Sequence, residues 1–276
     1  MNVAPQSVRA LSAGVPSPHA AGTKKRPHVT IRGLSKRFGN TVIYDNFDLD
    51  IPRGELISVF GPNGCGKSTL INIVAGLIPP DAGQILFDGM RLDQIKFGYV
   101  FQNYREALFP WLRAFDNISY PLKMMRVEPA ERRARTEQLV AHLGIKLNLD
   151  LFPYQMSGGQ QQLVSIMRAL IVEPEILFLD EPFSALDYEM TLFMREQLQR
   201  IFMETGTTTV LVSHDLEEAV FLADRVLLLS RHPAQVADFT PVVAPRPRTD
   251  ATLSDPEFVR TKAHCLDVFQ REVRRA

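Results

Sequence analysis

The hydrophobic and polar positions of this chain alternate between the patterns of β-strands and those of α-helices. Short apolar runs bounded by turn residues predict buried strands, and four of them lie at residues 56–60, 176–179, 207–212 and 225–229. Residues 47–51 alternate apolar and polar side chains, which predicts a half-exposed strand. Two shorter runs, 84–88 and 97–101, add strands, and β-forming residues begin at Val29. This pattern predicts the sheet of an α/β domain.

Two stretches carry the periodicity of helices. The clearer one begins at Ser157 and places apolar residues at i, i+3, i+4, i+7 and i+8, which are Leu163, Ile166, Met167, Leu170 and Ile171. The other has Pro129 in its first turn, Glu131 near its positive end and Gly144 as a stop. We therefore predict a helical subdomain at about residues 103–170, inserted into the α/β domain.

A glycine-rich loop follows the first buried strand and fits the spacing G-x-x-x-x-G-K-[ST] of phosphate-binding loops. Its residues are Gly61, Pro62, Asn63, Gly64, Cys65, Gly66, Lys67, Ser68 and Thr69. Glycines let backbone N–H groups turn inward around an anion. Lys67 is then expected to reach the β- and γ-phosphates, and the Ser68 hydroxyl to ligate Mg²⁺. The loop predicts a nucleoside-triphosphate site at the start of a helix.

Polar residues also stand where other predicted strands end, which is where α/β sheets place ligand groups. Asp180 and Glu181 end an apolar strand, and burying two acids for structure alone is costly. The pair therefore predicts Mg²⁺ binding and activation of a water molecule. Gln102 and His214 end two further strands, although each residue by itself carries little weight.

Three further candidates depend on their context. Ser157-Gly158-Gly159-Gln160 opens a helix and offers a second anion site, with an ordinary serine cap as the alternative. Phe38 lies at a turn where an aromatic ring can stack on a base, with Tyr44 as the rival candidate and simple packing as the alternative. Asp215 and Glu218 are spaced as a helix-capping pair.

Composition narrows the class of protein. Lys and Arg together number 31, as do Asp and Glu, and this balance argues against a non-specific nucleic-acid binder. Two cysteines, Cys65 and Cys265, favour a reducing, cytoplasmic setting, and 45% hydrophobic residues allow a sizeable core. No apolar run approaches the length of a membrane span, so membrane contact is expected through partners. Residues 1–27, with the Lys24-Lys25-Arg26 run, are predicted to be a flexible leader.

The order of these motifs resembles the ATPase subunits of ABC (ATP-binding cassette) transporters over residues 28–231. Its most specific element is the Ser157–Gln160 signature, 23 residues before the acid pair, followed by Ser184-Ala-Leu-Asp187. The resemblance implies a P-loop NTPase fold of ABC type, with a mixed sheet core, the inserted helical subdomain and a small antiparallel β part. Residues 232–276 are then expected to form a C-terminal extension with a terminal helix.

The resemblance also implies roles for single residues. Ser68 and Asp180 belong to the metal sphere, and Gln102 senses both Mg²⁺ and the attacking water. Glu181 is the general base of ATP hydrolysis, and His214 contacts the γ-phosphate.

Partners are implied in the same way. Phe38 is expected to stack on the adenine of ATP, while Ser157–Gln160 act on the ATP held by a second, head-to-tail copy of an ABC ATPase subunit. Two integral-membrane permease subunits and a solute-binding protein are expected in the complex, at the cytoplasmic side of the inner membrane. No nucleic-acid partner is expected.

A narrower resemblance, to the importer ATPases of the nitrate, sulfonate and taurine type, implies a small anion as the solute. It is carried by Val100–Gln102, Leu108-Phe-Pro-Trp-Leu112, Asp116–Ile118 and Pro245-Arg-Pro-Arg248. Leu163 departs from the family, because many relatives have Arg there. Two alternatives stay open: an ATPase of an exporter or lipid-transport system, and a soluble ABC protein acting on DNA or ribosomes. A single cassette without sustained heptads argues against the latter.

Two single residues carry further expectations. Trp111, the only tryptophan, is expected to contact the permease, with a place in the core as the alternative. Cys65 stands beside Lys67 at a helix N-terminus, so its thiol is expected to have a lowered pKa and to be open to alkylation. The alternative is an inert thiol buried beneath the loop.

Overall fold

The computed structural model describes residues 27–184 and 186–274, and nine strands in two sheets form its centre. The strands are β1 Pro27–Phe38, β2 Thr41–Pro52, β3 Leu56–Phe60, β4 Ala82–Phe87, β5 Phe97–Val100, β6 Ile176–Asp180, β7 Thr208–Val212, β8 Arg225–Leu229 and β9 Val236–Pro241. The helices are α1 Lys67–Val74, α2 Tyr104–Ala107, α3 Ala114–Met124, α4 Pro129–His142, α5 Gly158–Leu170, α6 Tyr188–Thr205, α7 Leu216–Leu222 and α8 Pro256–Arg274.

The larger sheet has the strand order β5-β6-β7-β3-β8-β9 and is parallel except for β9. Its central strands β3, β6 and β7 are buried along their whole length, because helices or the second sheet cover both faces. Parallel pairing brings the carboxyl ends of β3, β5, β6 and β7 to the same edge, and the polar residues that follow these strands therefore meet there.

The smaller sheet is antiparallel, in the order β2-β1-β4. Its buried side chains and those of α1 pack on one face of the larger sheet, around Phe47, Phe87 and Phe178. A second apolar cluster on the opposite face joins α3, α5, α6, α7 and α8 to the larger sheet. The structure has the predicted architecture: a mixed sheet core, helices α2 to α5 between β5 and β6, and a small antiparallel part.

Two elements extend the sequence prediction. Strand β9 was not predicted, and it pairs with β8, so the larger sheet continues beyond residue 231. The predicted terminal helix is α8, whose buried face includes Phe258, Cys265 and Val268. Apart from Pro27, which begins β1, the predicted leader with its Lys24-Lys25-Arg26 run lies outside the described residues, as does Ala185. None of the described helices has both the length and the apolar character needed to cross a membrane.

The Pro245–Arg248 segment is anchored by its two arginines. The buried Arg248 guanidinium donates to the carbonyls of Val220, Phe221 and Ala223 at the end of α7, at 2.7–3.1 Å. Burial lowers the pKa of Arg248 to about 9, with the charge of Arg246 adding to the effect. A cation is favoured at this point because the last carbonyls of a helix are unpaired and carry the negative end of its dipole. These bonds fix the start of the C-terminal extension on the ATPase core.

Candidate nucleotide site

The phosphate loop joins β3 to α1, and Lys67 bonds to its backbone. Lys67 is buried, and its Nζ donates to the carbonyls of Gly61 at 2.9 Å and Pro62 at 3.2 Å. Gly66 has a φ of 112°, and a Cβ there would lie 2.7 Å from Ile43 Cγ2. A larger residue at this position would therefore push the loop away from β2, so the packing of the loop requires glycine.

Tyr44, the rival candidate to Phe38 for base stacking, instead contacts the phosphate loop. The ring is fully buried, and its hydroxyl donates to the Gly66 carbonyl at 2.9 Å. Such a side chain is not available to stack on a base. Phe38, at the end of β1, is 48% exposed, with Lys36 Nζ 5.4 Å from the centre of its ring. Phe38 therefore stays the candidate for adenine stacking, and Tyr44 is a support of the loop.

The expectation for Cys65 is wrong. Its side chain is buried in the apolar cluster under the loop, and a Cβ on Gly61 would lie only 3.0 Å from its sulfur. Burial raises the pKa of the thiol, and this effect outweighs the nearby charge of Lys67, which lowers it. Cys265 is also buried, and burial raises its pKa to about 11. Only the backbone of Cys65 is left for contact with phosphate, and the thiol is structural.

Asp180, at the end of β6, lies beside the start of α1. The Ser68 hydroxyl donates to its Oδ1 at 2.9 Å, and the Tyr99 hydroxyl lies 3.4 Å from Oδ2 and 2.7 Å from Asn72 Oδ1. The carboxyl is 7% exposed, and burial raises its pKa, although the Ser68 hydrogen bond lowers it. A buried carboxylate next to a hydroxyl is a suitable donor set for Mg²⁺, which prefers oxygen ligands. Ser68 and Asp180 therefore fit the metal position.

Replacing Asp180 with Asn is expected to raise the Tm of the nucleotide-free protein by a few degrees while lowering Mg²⁺-dependent hydrolysis at least ~10²-fold. The variant keeps the oxygen that accepts from Ser68 but removes a charge that burial disfavours. Burial raises the pKa of Asp180 in the fold above its ordinary value of 3.8. Ionisation of this carboxyl therefore lowers the stability of the wild-type protein as the pH rises above that value. The gain in Tm should therefore vanish at pH 3 and be present at pH 7 in calorimetry. A lower Tm of the variant at pH 7 would contradict this account.

Glu181, next to Asp180, is contacted by residues from two other strand ends. Gln102 Nε2 donates to Glu181 Oε2 at 2.8 Å, and His214 Nδ1 lies 3.4 Å from the same oxygen. Glu181 has a φ of 44°, in the left-handed region, and its backbone N–H donates to the Val212 carbonyl at 3.0 Å. Non-glycine residues rarely adopt this conformation, and such strain is concentrated at functional sites. The structure thus brings Gln102, Glu181 and His214 together at the edge of the sheet.

The signature residues lie at the start of α5, apart from the loop of their own chain. Ser157 is exposed and forms a capping box with Gln160, at 3.3 Å and 3.0 Å, so the serine cap weighed against an anion site is present. Gly159 packs on α6, where a Cβ would lie 2.0 Å from Met190 Sδ. Within the described residues, no hydrogen bond or ion pair joins Ser157–Gln160 to the phosphate loop. Leu163, in place of the family's Arg, is buried in the core.

The proposed capping pair before α7 is only half correct. Asp215 accepts from the backbone of Glu217 and Glu218 and therefore caps the helix. Glu218 does not return a bond to the cap residue, because its buried carboxylate accepts from the Ser213 hydroxyl at 2.9 Å. Burial raises the pKa of Glu218. Sequence reasoning missed the contact of Tyr44 with the loop and the place of Tyr99 beside Asp180, because neither contact has a sequence motif.

Comparison with known proteins assigns the chain to a family. The profile described as ABC transporter matches residues 44–184. A putative ATP-binding protein of Brucella abortus is 37% identical over 84% of this chain and 90% of that protein. The sulfate/thiosulfate import ATP-binding protein of Pseudomonas aeruginosa is 41% identical over 74% of this chain and 64% of that protein. The Fe(3+) ions import ATP-binding protein of Escherichia coli is 39% identical over 74% and 59%, respectively.

Solved structures show the same fold. A dimeric bacterial ABC transporter cassette aligns with a TM-score of 0.67 and 30% identity, over 79% of this chain and all of that chain. The same cassette with ADP and phosphate bound aligns equally well. One protein of a Clostridium perfringens ABC transporter complex aligns with a TM-score of 0.72 and 25% identity, over 86% of this chain and 94% of that chain.

Proposed function

This chain belongs to the ABC transporter family of ATP-hydrolysing subunits, and we propose that it energises a membrane importer of a small anion of the nitrate, sulfonate or taurine type. The main support for a role in ATP hydrolysis is that Gln102 and His214 both contact Oε2 of Glu181, the residue next to Asp180. The import direction is supported by relatives of about 40% identity whose names describe sulfate/thiosulfate and Fe(3+) import.

The chain's own groups account for nucleotide binding. Bound MgATP supplies the transferable phosphoryl group and the divalent charge. Lys67, now held by two carbonyls, is positioned to donate to phosphate oxygens, and the backbone N–H groups of the loop add further donors. Ser68 and Asp180 supply oxygen ligands to the metal. Phe38 offers an exposed ring for the adenine.

Glu181 acts as the general base. Its carboxylate accepts the proton of the attacking water, and Gln102 and His214 hold this carboxylate at the edge of the sheet through Oε2. The half-exposed His214 also has a second ring nitrogen for contact with the γ-phosphate. Gln102, which contacts Glu181 next to Asp180, senses both the metal and the attacking water in this proposal.

Partner subunits complete the complex. A second copy of an ABC ATPase subunit is supported by the dimeric cassette of similar fold, and by a signature that has no bond to the loop of its own chain. Two integral-membrane permease subunits provide the path for the solute, a proposal supported by relatives that are named as import ATP-binding proteins. We propose that the complex also includes a solute-binding protein, and that this chain lies at the cytoplasmic side of the inner membrane through the permeases.

Transport by the assembled complex tests the function. In vesicles that contain the permeases and this chain, ATP is expected to drive accumulation of taurine, an alkanesulfonate or nitrate on the side that carries the ATPase. Sulfate and thiosulfate serve as comparison solutes, because they are named for the relatives. Movement toward the ATPase side defines import, and movement away from it would replace the proposal with an exporter. ATP hydrolysis without movement of any of these anions would remove the solute assignment.

Trp111 is the proposed contact with the permease. Its side chain is 70% exposed, so the alternative of a core tryptophan is excluded. The loop that carries it is rigid, because the buried Asn117 accepts from the Phe109 N–H at 2.9 Å, and its Nδ2 lies 3.0–3.2 Å from the carbonyls of Phe109, Leu112 and Arg113. An exposed aromatic on a pre-ordered loop loses little entropy on binding, as binding hot spots require.

Trp111→Ala is expected to weaken association with the permease at least ~10-fold, which corresponds to a hot-spot loss of about 1.4 kcal/mol or more. The Tm and the basal ATPase rate should stay unchanged, because the ring makes few core contacts. Tyr188→Ala is the matched control, since this ring is 77% exposed but lies at the start of α6 outside the helical subdomain. Equal permease affinity of the Trp111 variant and the wild type would exclude the contact.

A further inference from the structure

We propose that this chain has a second metal site, for a divalent cation such as Zn²⁺, formed by His28, Asp88 and Glu175 at the edge of the sheet opposite the nucleotide. These three residues come from β1, the turn after β4 and the residue before β6. Their ligand atoms all lie within 4.8 Å of one another, and no other group of three His, Cys, Asp or Glu among residues 27–184 and 186–274 meets this condition.

The unsatisfied nitrogen of His28 is the first independent observation. The ring is fully buried, and its Nδ1 lies 2.7 Å from Thr208 Oγ1, which also accepts from the Gly54 N–H at 2.9 Å. The other nitrogen, Nε2, is buried without any hydrogen-bond partner among the described residues, and it lies 3.9 Å from Asp88 Oδ2. A metal-ligating histidine has this arrangement, with one nitrogen fixed by an oxygen and the other on the metal.

The carboxylates complete a donor set of one nitrogen and two oxygens. Asp88 is fixed to β1, because its N–H donates to the His28 carbonyl at 2.8 Å. Glu175 is half-buried, and its carboxylate makes no hydrogen bond or ion pair within the described chain. Zinc holds such ligands at about 2.0–2.2 Å in tetrahedral geometry, so the donor atoms would approach to roughly 3.4 Å, and a water molecule would fill the fourth position.

Arg53 is a cation that lies next to one of the proposed ligands. Its guanidinium contacts Asp88, and the side chain is 52% exposed, so it can turn outward when a metal enters. The site is separate from the Mg²⁺ position, because Glu175 and Asp180 lie at opposite ends of β6, about 16 Å apart at the rise of a strand. A metal here links the small sheet to the amino ends of β6 and β7 and serves stability rather than hydrolysis.

Zinc binding by the nucleotide-free, chelator-treated protein tests the site. One Zn²⁺ per chain is expected by elemental analysis and calorimetry, with a Tm higher by on the order of 5 °C at saturation. Glu175→Gln should weaken the affinity at least ~10-fold. His28→Asn should also weaken the affinity for zinc, because the asparagine amide keeps a polar atom near the position of Nδ1 but has no atom at the position of Nε2. Arg53→Gln should tighten binding several-fold, because it removes the competing cation, a result that a purely structural histidine does not produce.

Two controls separate this site from other zinc contacts. His264→Asn removes an exposed histidine paired with Asp238, and Asp180→Asn removes the Mg²⁺ ligand, and both variants should bind zinc as the wild type does. If His28→Asn does not fold, the half-exposed positions Glu175 and Arg53 still decide the question. Absence of a stoichiometric Zn²⁺, undiminished binding by Glu175→Gln, or loss of binding in His264→Asn would overturn the proposal.

Discussion

Glu181→Gln is expected to lower kcat for ATP hydrolysis by about 10²–10⁴, because a positioned general base contributes that factor. The amide cannot accept the proton of the attacking water, although it keeps the size of the side chain. ATP binding should be unchanged, since the phosphate loop and Asp180 are separate from the Oε2 atom that Gln102 and His214 contact. Single-turnover hydrolysis and nucleotide titration, measured on the same preparation, give the two quantities.

The control for this variant is Glu196→Gln, which neutralises an exposed carboxylate on α6. It should hydrolyse ATP at the wild-type rate, so that loss of a negative charge as such is excluded. A Glu181→Gln protein that hydrolyses ATP within tenfold of the wild type would remove Glu181 from the role of base. A variant that no longer binds ATP would instead show that Glu181 supports the loop.

The edge where the proposed catalytic side chains meet could be predicted from the sequence, because the strands concerned are mostly continuous apolar runs. Strands such as β3, β6 and β7 are buried on both faces, so their position in the centre of a parallel sheet follows from their apolar sequences. The residue that follows each strand must then lie at the carboxyl edge of the sheet. Strand β9 escaped prediction for the opposite reason. It lies at the edge of the sheet, its side chains are mostly half-buried, and its sequence lacks the strong apolar pattern.

The directions in which single side chains point could not be predicted from the sequence. Cys65 and Lys67 are two residues apart in one loop, and the chain alone suggests that their side chains share one environment. In the fold, the thiol enters the apolar cluster while the ammonium bonds to the loop carbonyls. Burial raises the pKa of the thiol, and this effect is larger than the lowering by the charge of Lys67. The burial of Tyr44 could not be predicted for the same reason, because it depends on the path of β2 beneath the phosphate loop.

The signature residues Ser157–Gln160 lead to the second prediction: mixing two inactive variants is expected to restore ATP hydrolysis. Lys67→Ala removes the proposed phosphate ligand, and Ser157→Arg places a bulky cation at the exposed start of α5. If the signature acts on the partner's ATP, the heterodimer has one fully intact site and one site with both lesions. Random assortment of a symmetric dimer then gives hydrolysis of about a quarter of the wild-type rate, from two preparations that are each nearly inactive.

The matched control mixes Lys67→Ala with the Lys67→Ala/Ser157→Arg double variant, which contains no intact phosphate loop in any dimer and should stay inactive. Loss of the serine cap costs about 1 kcal/mol of stability, so the folded fraction of each variant is to be verified by its Tm. Recovery in the first mixture and none in the control establishes a site shared between subunits. If neither mixture recovers activity although heterodimers form, Ser157–Gln160 act within their own chain, and the exposed position of Ser157 needs another explanation.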